Sequence, residues 1–265
     1  MKVALVGKGV VGNALYESFT KREIDVVIYD KYKDIGNIED ILDVEFIFMC
    51  LPTLYNETIG EYDKTSVDEI CKYLNKKKYE GLVIIKSTVE PETCEFFSRL
   101  YGLNICHNPE FLSAKTAIED FDNQNHIVIG TTTNCDKLLY DKLNDFYKHY
   151  YPNIDITLCT SNESELMKIG VNNFYSVKVM FFNELYLLSK KMAYTDYKKV
   201  REMMIKNGWI NEMHTQVPGT DGKLGYGGMC FPKDTNALLQ YMIRKDSPNL
   251  LLKGCVEENK IIRDM

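Results

Sequence analysis

Lys2-Val3-Ala4-Leu5-Val6-Gly7-Lys8-Gly9-Val10-Val11-Gly12 opens the chain as an apolar run that breaks into a glycine loop, and its reading decides the fold. Lys2 to Val6 predicts a short strand. Asn13 to Lys21 carries apolar residues at helical spacing, Asp25 to Tyr29 returns to strand composition, and Asp30 ends that strand. The order strand, glycine turn, helix, strand is a βαβ unit. The glycine spacing is a weak signal alone, but here it follows a strand and opens a helix, and that context predicts a dinucleotide site. Gly7, Gly9 and Gly12 would make the tight turn and let backbone approach a pyrophosphate. Val10 and Val11 stand where the helix N-terminus offers its N–H groups, and Asp30 would accept from the adenosine ribose hydroxyls. A carboxylate at Asp30 favours NAD because it repels a 2′-phosphate, while Lys31 and Lys33 leave NADP open.

Beyond this unit, apolar runs predict strands at 45–50, 82–86, 104–107 and 126–129. Helical periodicity appears around 66–77, 91–100 and 135–150. Strand and helix in alternation predict a Rossmann-type, doubly wound parallel sheet with ligands at the carboxyl ends of its strands. Three loops fall at those ends: Leu51-Pro52-Thr53, Ser87-Thr88-Val89 and Asn108-Pro109-Glu110-Phe111-Leu112. A Ser-Thr pair after a strand is ordinarily a helix cap and an Asn-Pro a turn. Their common location at one edge of the sheet makes them candidate site residues.

Composition bounds the function without naming it. The chain has 265 residues, 45% hydrophobic and 26% charged, enough for one large or two unequal domains. A formal net charge of −6 argues against a surface built for nucleic acid or anionic membrane. The sequence holds no run of eighteen apolar residues and its first strand begins at Lys2, which predicts neither a membrane span nor a signal peptide and hence a cytoplasmic protein. Eight cysteines lie twelve or more residues apart, so the short spacings of zinc or redox motifs are missing and reduced thiols are expected, with no metal.

Tyr150 to Asn153 reads as a boundary, giving domains 1–153 and 154–265, the second mostly helical. Ser161 or Asn162 can cap a long helix over 163–192 whose apolar residues, Leu166, Ile169, Phe174, Val177, Phe181 and Leu185, face more than one side. That breadth predicts packing against a second subunit. Lys168 and Asn172, four apart, share one face of this helix, where a cation and an amide can reach one reacting oxygen; in isolation they read as a solvated surface pair. A glycine-rich loop over 207–228 precedes helices at 234–241 and 250–263. It leads into Gly225-Tyr226-Gly227-Gly228-Met229-Cys230-Phe231-Pro232-Lys233-Asp234. Glycines permit close backbone approach to a ligand, and a cysteine followed by a lysine and an aspartate is how a thiol nucleophile is built. A lone cysteine would otherwise read as a small buried hydrophobe.

Taken together these segments resemble the UDP-glucose/GDP-mannose dehydrogenase family, most closely its UDP-glucose 6-dehydrogenase branch. They occur in the family's order and span the chain. The resemblance implies NAD-dependent, four-electron oxidation of a sugar-nucleotide's primary alcohol to a carboxylate. It makes Cys230 the nucleophile, with its thiol acidified by Lys168, and gives Lys168 and Asn172 the developing oxyanion. Asp234 and Thr88 would position a water or accept a proton, and Glu110 would assist thioester hydrolysis. It assigns Thr53, Ser87, Thr88 and Lys233 to the cofactor. Glu110, Phe111, Leu112, Lys168, Asn172, Gly225, Tyr226 and Gly227 go to the substrate.

Two departures from the family pattern stand out. Where the family has a glutamate and a glycine after Phe-Leu and one further residue, this chain has Ala114 and Lys115, in a segment the resemblance sets against sugar and nicotinamide. Family members also continue into another α/β domain that grips the UDP, whereas this sequence stops at Met265, which implies weaker or partner-supplied nucleotide recognition, or another substrate. Two other readings stay open here. One is a two-electron β-hydroxyacid dehydrogenase, which also uses a lysine and an asparagine four apart but needs no Cys230; the other is a binding protein without catalysis.

Overall fold

The computed structural model describes residues 1–264. They form two compact units, one of residues 1–54 with 62–168 and the other of residues 55–61 with 169–264.

The first unit is built on one sheet. Its strands are β1 (Lys2–Val6), β2 (Asp25–Tyr29), β3 (Phe46–Met49), β6 (Leu82–Ile85), β7 (Asn104–His107), β8 (His126–Thr131) and β9 (Asp155–Thr160); β4 (Tyr55–Asn56) and β5 (Glu61–Tyr62) form a separate two-stranded ribbon. The spatial order is β2-β1-β3-β6-β7-β8-β9. β1 reverses the direction of strand progression, so the loop after it opens at the switch point where ligands bind in doubly wound sheets.

Period-two alternation splits the core between the two faces. Val3, Leu5, Phe46, Phe48, Leu82 and Ile84 point to one side, beneath α1 (Val10–Lys21), α4 (Ala117–Asp122) and α5 (Lys137–Tyr150). Ala4, Val6, Ile47, Met49, Val83 and Ile85 point to the other, beneath α2 (Thr65–Lys76), α3 (Thr93–Tyr101) and a 3₁₀ turn at Ile38–Leu42. Phe19 anchors the first face edge-on to Phe48 and Phe146, at ring separations of 5.2 and 5.5 Å. Burying such a side chain is worth about 1.5–3 kcal/mol.

The sheet departs from the expected parallel one at a single pairing. β8 runs antiparallel to β7, with Cys106 opposite Thr131 and His107 opposite Gly130, and β9 then pairs parallel to β8. An antiparallel β8 starts at the edge where β7 ends, so residues 108–125, including the short α4, stay over the carboxyl edge instead of crossing the sheet. β9 also carries the sheet past the boundary expected at residues 150–153.

From β9 the chain passes directly into α6 (Ser161–Ser189). The cap is Thr160, not the expected Ser161 or Asn162. Glu163 Oε2 accepts from Thr160 N and Oγ1, both at 2.8 Å, and Glu163 N donates back to Thr160 Oγ1, a reciprocal capping box. The second unit contains α6 from Ile169 onward, α7 (Tyr197–Lys206), α8 (Phe231–Arg244) and α9 (Leu250–Arg263). Its buried centre includes Met180, Tyr226, Cys255 and Ile262. No helix among the described residues is long and apolar enough to cross a membrane.

Candidate active site

The glycine loop has the geometry a dinucleotide needs. Gly7 sits at φ +91°, and a Cβ there would lie 2.5 Å from Cys50 O; a Cβ on Gly12 would lie 2.0 Å from Gly7 O. Both glycines are demanded by the fold, whereas Gly9 faces open space. α1 begins at Val10 without a side-chain cap or an acidic residue in its first turn, so its leading N–H groups are left for an anion. A cleft of about 690 Å³ opens there, lined by Lys8, Gly9, Val10, Asn13, Lys33 and residues 114–119. These residues fit a dinucleotide phosphate. Asp30 is 7% exposed and already accepts from Lys8 N at 2.7 Å and from Tyr32 N and Lys33 N at 3.0 Å. Its carboxylate thus staples the loop. Ala114 and Lys115 line this cleft at the start of α1, a location the resemblance did not imply.

Along the carboxyl edge the expected residues are held by one another. Thr53 Oγ1 donates to Thr88 O at 2.7 Å and Ser87 Oγ to Leu51 O at 2.6 Å, joining the loops after β3 and β6. Thr88 itself is 9% exposed. In the next loop Leu112 N donates to Glu110 Oε2 at 2.6 Å, while Glu110 Oε1 lies 3.7 Å from Lys168 Nζ. Both side chains are largely buried, and the Lys168 ammonium also lies 5.0 Å from the centre of the Phe111 ring. Glu110, Phe111 and Lys168 therefore form one cluster.

Several edge residues escaped the sequence reading. His107 is fully buried, with Nδ1 2.8 Å from Ser164 Oγ and Nε2 3.3 Å from Ser87 O. Burial pushes its pKa down to about 3, so it is neutral; because a carbonyl only accepts, Nε2 carries the proton and Nδ1 accepts from Ser164. Glu165, also fully buried, accepts from Glu92 N at 2.7 Å and Cys94 N at 2.8 Å, capping α3 from α6. Burial raises its pKa to about 7 against those hydrogen bonds. Lys86, which closes the apolar run of β6, is 3% exposed.

In the second unit Cys230 is the N-cap residue of α8, with Pro232 in the first turn, where a missing N–H costs nothing. All eight cysteines are thiols, and of them only Cys230 is exposed. Burial pushes the Cys50 and Cys71 thiols up to about 12 and Cys255 up to about 11, which keeps them protonated. Asp234, one turn into α8, is fully buried; its Oδ2 accepts from Asn172 Nδ2 and its Oδ1 from Lys233 Nζ, both at 2.6 Å.

The glycines ahead of Cys230 serve a different purpose from the one expected. Gly225 N donates to Asn183 Oδ1, and a Cβ on Gly225 would meet Asn259 Oδ1 at 2.3 Å; one on Gly227 would meet the Arg263 guanidinium at 2.1 Å. Both are small because α9 packs on them, and only Gly228, at φ +78°, faces open space. Tyr226 is 4% exposed, with its hydroxyl 3.2 Å from Thr235 Oγ1, so its side chain belongs to the core.

Residues 162–260 match the central domain of the UDP-glucose/GDP-mannose dehydrogenase family, and residues 34–151 match that family's NAD binding domain. The chain belongs to this family. A UDP-glucose 6-dehydrogenase of Campylobacter jejuni is 29% identical over 98% of this chain and 72% of its own length. The Rickettsia bellii enzyme of the same name is 28% identical over 84% of this chain, which spans about half of that relative. A UDP-glucose dehydrogenase structure from Pyrobaculum islandicum superposes with a TM-score of 0.85 at 24% identity, covering 98% of this chain and 68% of that one.

As a member of the UDP-glucose/GDP-mannose dehydrogenase family, the chain has NAD as its cofactor. The expected site residues are divided between the two units. Thr53, Ser87, Thr88, Glu110, Phe111 and Lys168 lie in the first unit, and Asn172, Cys230, Lys233 and Asp234 in the second.

Proposed function

We propose that the chain oxidises the C6 primary alcohol of a sugar-nucleotide to a carboxylate, UDP-glucose to UDP-glucuronate, with Cys230 carrying the intermediate. The observation that carries this reading is Cys230 itself: an exposed thiol at the start of α8, one turn before a buried aspartate bonded to Asn172 and Lys233. A two-electron oxidation has no use for such a cysteine.

NAD, held at the glycine loop Gly7–Gly12 and Asp30, would supply the hydride acceptor for two successive oxidations at C6. Removal of the first hydride from C6 leaves an aldehyde, which has no second hydride to give until a nucleophile adds to its carbonyl. The Cys230 thiolate forms that C–S bond, and the carbonyl electrons move to oxygen. Lys168 and one amide N–H of Asn172, four residues apart on α6, are suited to hold that oxyanion. Asp234 takes the other Asn172 N–H and so fixes which way the amide points. Loss of the second hydride from C6 gives a thioester. Asp234 and Thr88 orient a water, Glu110 takes its proton, water attacks the thioester carbon, and the C–S bond breaks to release carboxylate and thiol. The balance is one alcohol, one water and two NAD consumed for one carboxylate, two NADH and three protons, the first of these being the alcohol's own hydroxyl proton. Incubating the chain with limiting UDP-glucose and excess NAD is expected to yield two NADH per sugar-nucleotide by absorbance at 340 nm. A ratio of one would select the two-electron alternative.

A homodimer through α6 is part of the proposal. Leu166, Phe174, Phe181 and Leu188 are 54, 65, 51 and 53% exposed and repeat at close to heptad spacing along α6. A second copy of the same helix is the partner such a stripe suits. Sedimentation is expected to give a dimer at micromolar concentration and a monomer for Phe174→Glu/Phe181→Glu; a monomeric parent chain would rule the dimer out. Reduced thiols and a soluble dinucleotide fit a cytoplasmic reaction.

A further inference from the structure

We propose that Lys86 is a positioning residue for Glu110, acting through the side chain of Asn108. The inference rests on the role given to Glu110 above.

Lys86 follows the last residue of β6, its backbone N–H donating to Met49 O at 2.9 Å, so its side chain starts at the carboxyl edge of the sheet. It is 97% buried, and its ammonium has one hydrogen-bond acceptor among the described residues, Asn108 Oδ1 at 2.9 Å. The Phe121 ring from α4 lies 5.6 Å away. Asn108 is 1% exposed and committed at every side-chain atom able to bond. Oδ1 accepts from both Lys86 Nζ and Tyr147 Oη, and Nδ2 donates to Val128 O at 2.7 Å. Its backbone N–H donates to Ile85 O at 2.9 Å. Two residues later the chain presents Glu110, whose Oε2 accepts from Leu112 N and whose Oε1 faces Lys168. Lys86 and Tyr147 thus clamp the residue from which the Glu110 turn departs, and only Lys86 does so with a charge-assisted bond.

A buried ammonium without an ion pair is expensive to keep, which argues that its retention serves something besides stability. Burial lowers the Lys86 pKa to about 8. The Cys50 and Cys106 thiols, which would oppose this as thiolates, stay protonated near pH 8, so the Glu110 carboxylate is the opposing charge, while Lys168 pushes the same way as burial. His107 and Tyr147 complete the surroundings, and both are neutral near pH 8, the one by its low pKa and the other by a pKa raised well above the ordinary tyrosine value. Proton loss from Lys86 weakens the clamp on Asn108, because a neutral amine is the poorer donor.

The test compares the full chain with Lys86→Met, which keeps the stem and removes the donor, and with Lys86→Gln, which restores a neutral donor. Hydrogen exchange read by mass spectrometry is expected to speed up at least tenfold in the peptide spanning 108–113 of Lys86→Met, with the rest of the sheet unchanged. Lys86→Gln should lie between the two. This readout needs no turnover, so it stands or falls apart from the assigned reaction. With sugar-nucleotide, kcat of Lys86→Met should drop roughly tenfold to a hundredfold at unchanged NAD affinity, the scale expected when a reacting group is misplaced by about an ångström.

The pH dependences separate positioning from support of the fold. In the parent chain kcat should decline as pH rises through about 8, and Lys86→Met should lack that limb. Stability relative to Lys86→Met should move oppositely. The folded-state pKa lies below the ordinary lysine value of 10.5, so the unfolded chain binds more protons between them and the parent gains stability as pH rises across that interval. A folded Lys86→Met variant with parental exchange in 108–113, or with parental kcat and pH profile, overturns the proposal.

Discussion

Replacing Cys230 by serine is expected to remove steady NADH production while leaving the protein folded and able to bind NAD. The hydroxyl is the same size, but it is almost wholly protonated at neutral pH and a far weaker nucleophile than a thiolate at a helix N-terminus. Without addition to the aldehyde the second hydride cannot leave, so the variant should release at most one NADH per sugar-nucleotide. Its kcat should fall by about 10³-fold or more, the range seen when a covalent nucleophile is deleted. Cys230 is exposed, so its melting should change little, within about 0.5 kcal/mol. Absorbance at 340 nm reads the turnover, and intact-mass measurement during steady state should find an acylated parent chain and an unmodified variant. A serine variant turning over at the parental rate would end the covalent mechanism.

The parts of this protein that were legible from its sequence are those set by neighbours in the chain. Alternation in Val3 to Val6 and Phe46 to Met49 announces two covered faces, and Gly7 and Gly12 announce the turn because backbone stands where their Cβ atoms would go. What was hidden depends on residues far apart in sequence. The direction of β8 is decided by where β7 leaves the chain, and residues 108–125 carry no local sign of it. β9 is an edge strand whose side chains are half-exposed or exposed, so it lacks the apolar run that marks a central strand. α7 buries little beyond Tyr197, which left no apolar stripe to read. Gly225 and Gly227 look like ligand-facing glycines until Asn259 and Arg263 of α9 are seen against them. The cap of α6 was readable: Thr160-Ser161-Asn162-Glu163 is a capping box in sequence, masked by two other capping residues beside it. Lys86 carried a fainter sign, a single charge ending an apolar strand.

Asp234→Asn is expected to lower kcat by about 10²–10³-fold and stability by about 2–4 kcal/mol, although the side chain keeps its shape. The carboxylate is fully buried and presents one oxygen to the Lys233 ammonium and the other to the Asn172 amide. An amide has only one acceptor oxygen. Directed at Lys233, it turns its own N–H groups on Asn172, donor against donor, and the Asn172 side chain must flip to offer its carbonyl instead. The flip puts a lone pair where the second Asn172 N–H had pointed, so an oxyanion would be repelled where it is now held. Lys233 meanwhile loses the charge of its neighbour. A double-mutant cycle with Asn172→Ala isolates the effect: once Asp234 is neutral, removing the Asn172 amide should cost little more. Rates that multiply independently would show that Asp234 does not act through Asn172, and a parental kcat in Asp234→Asn would remove both residues from the reaction.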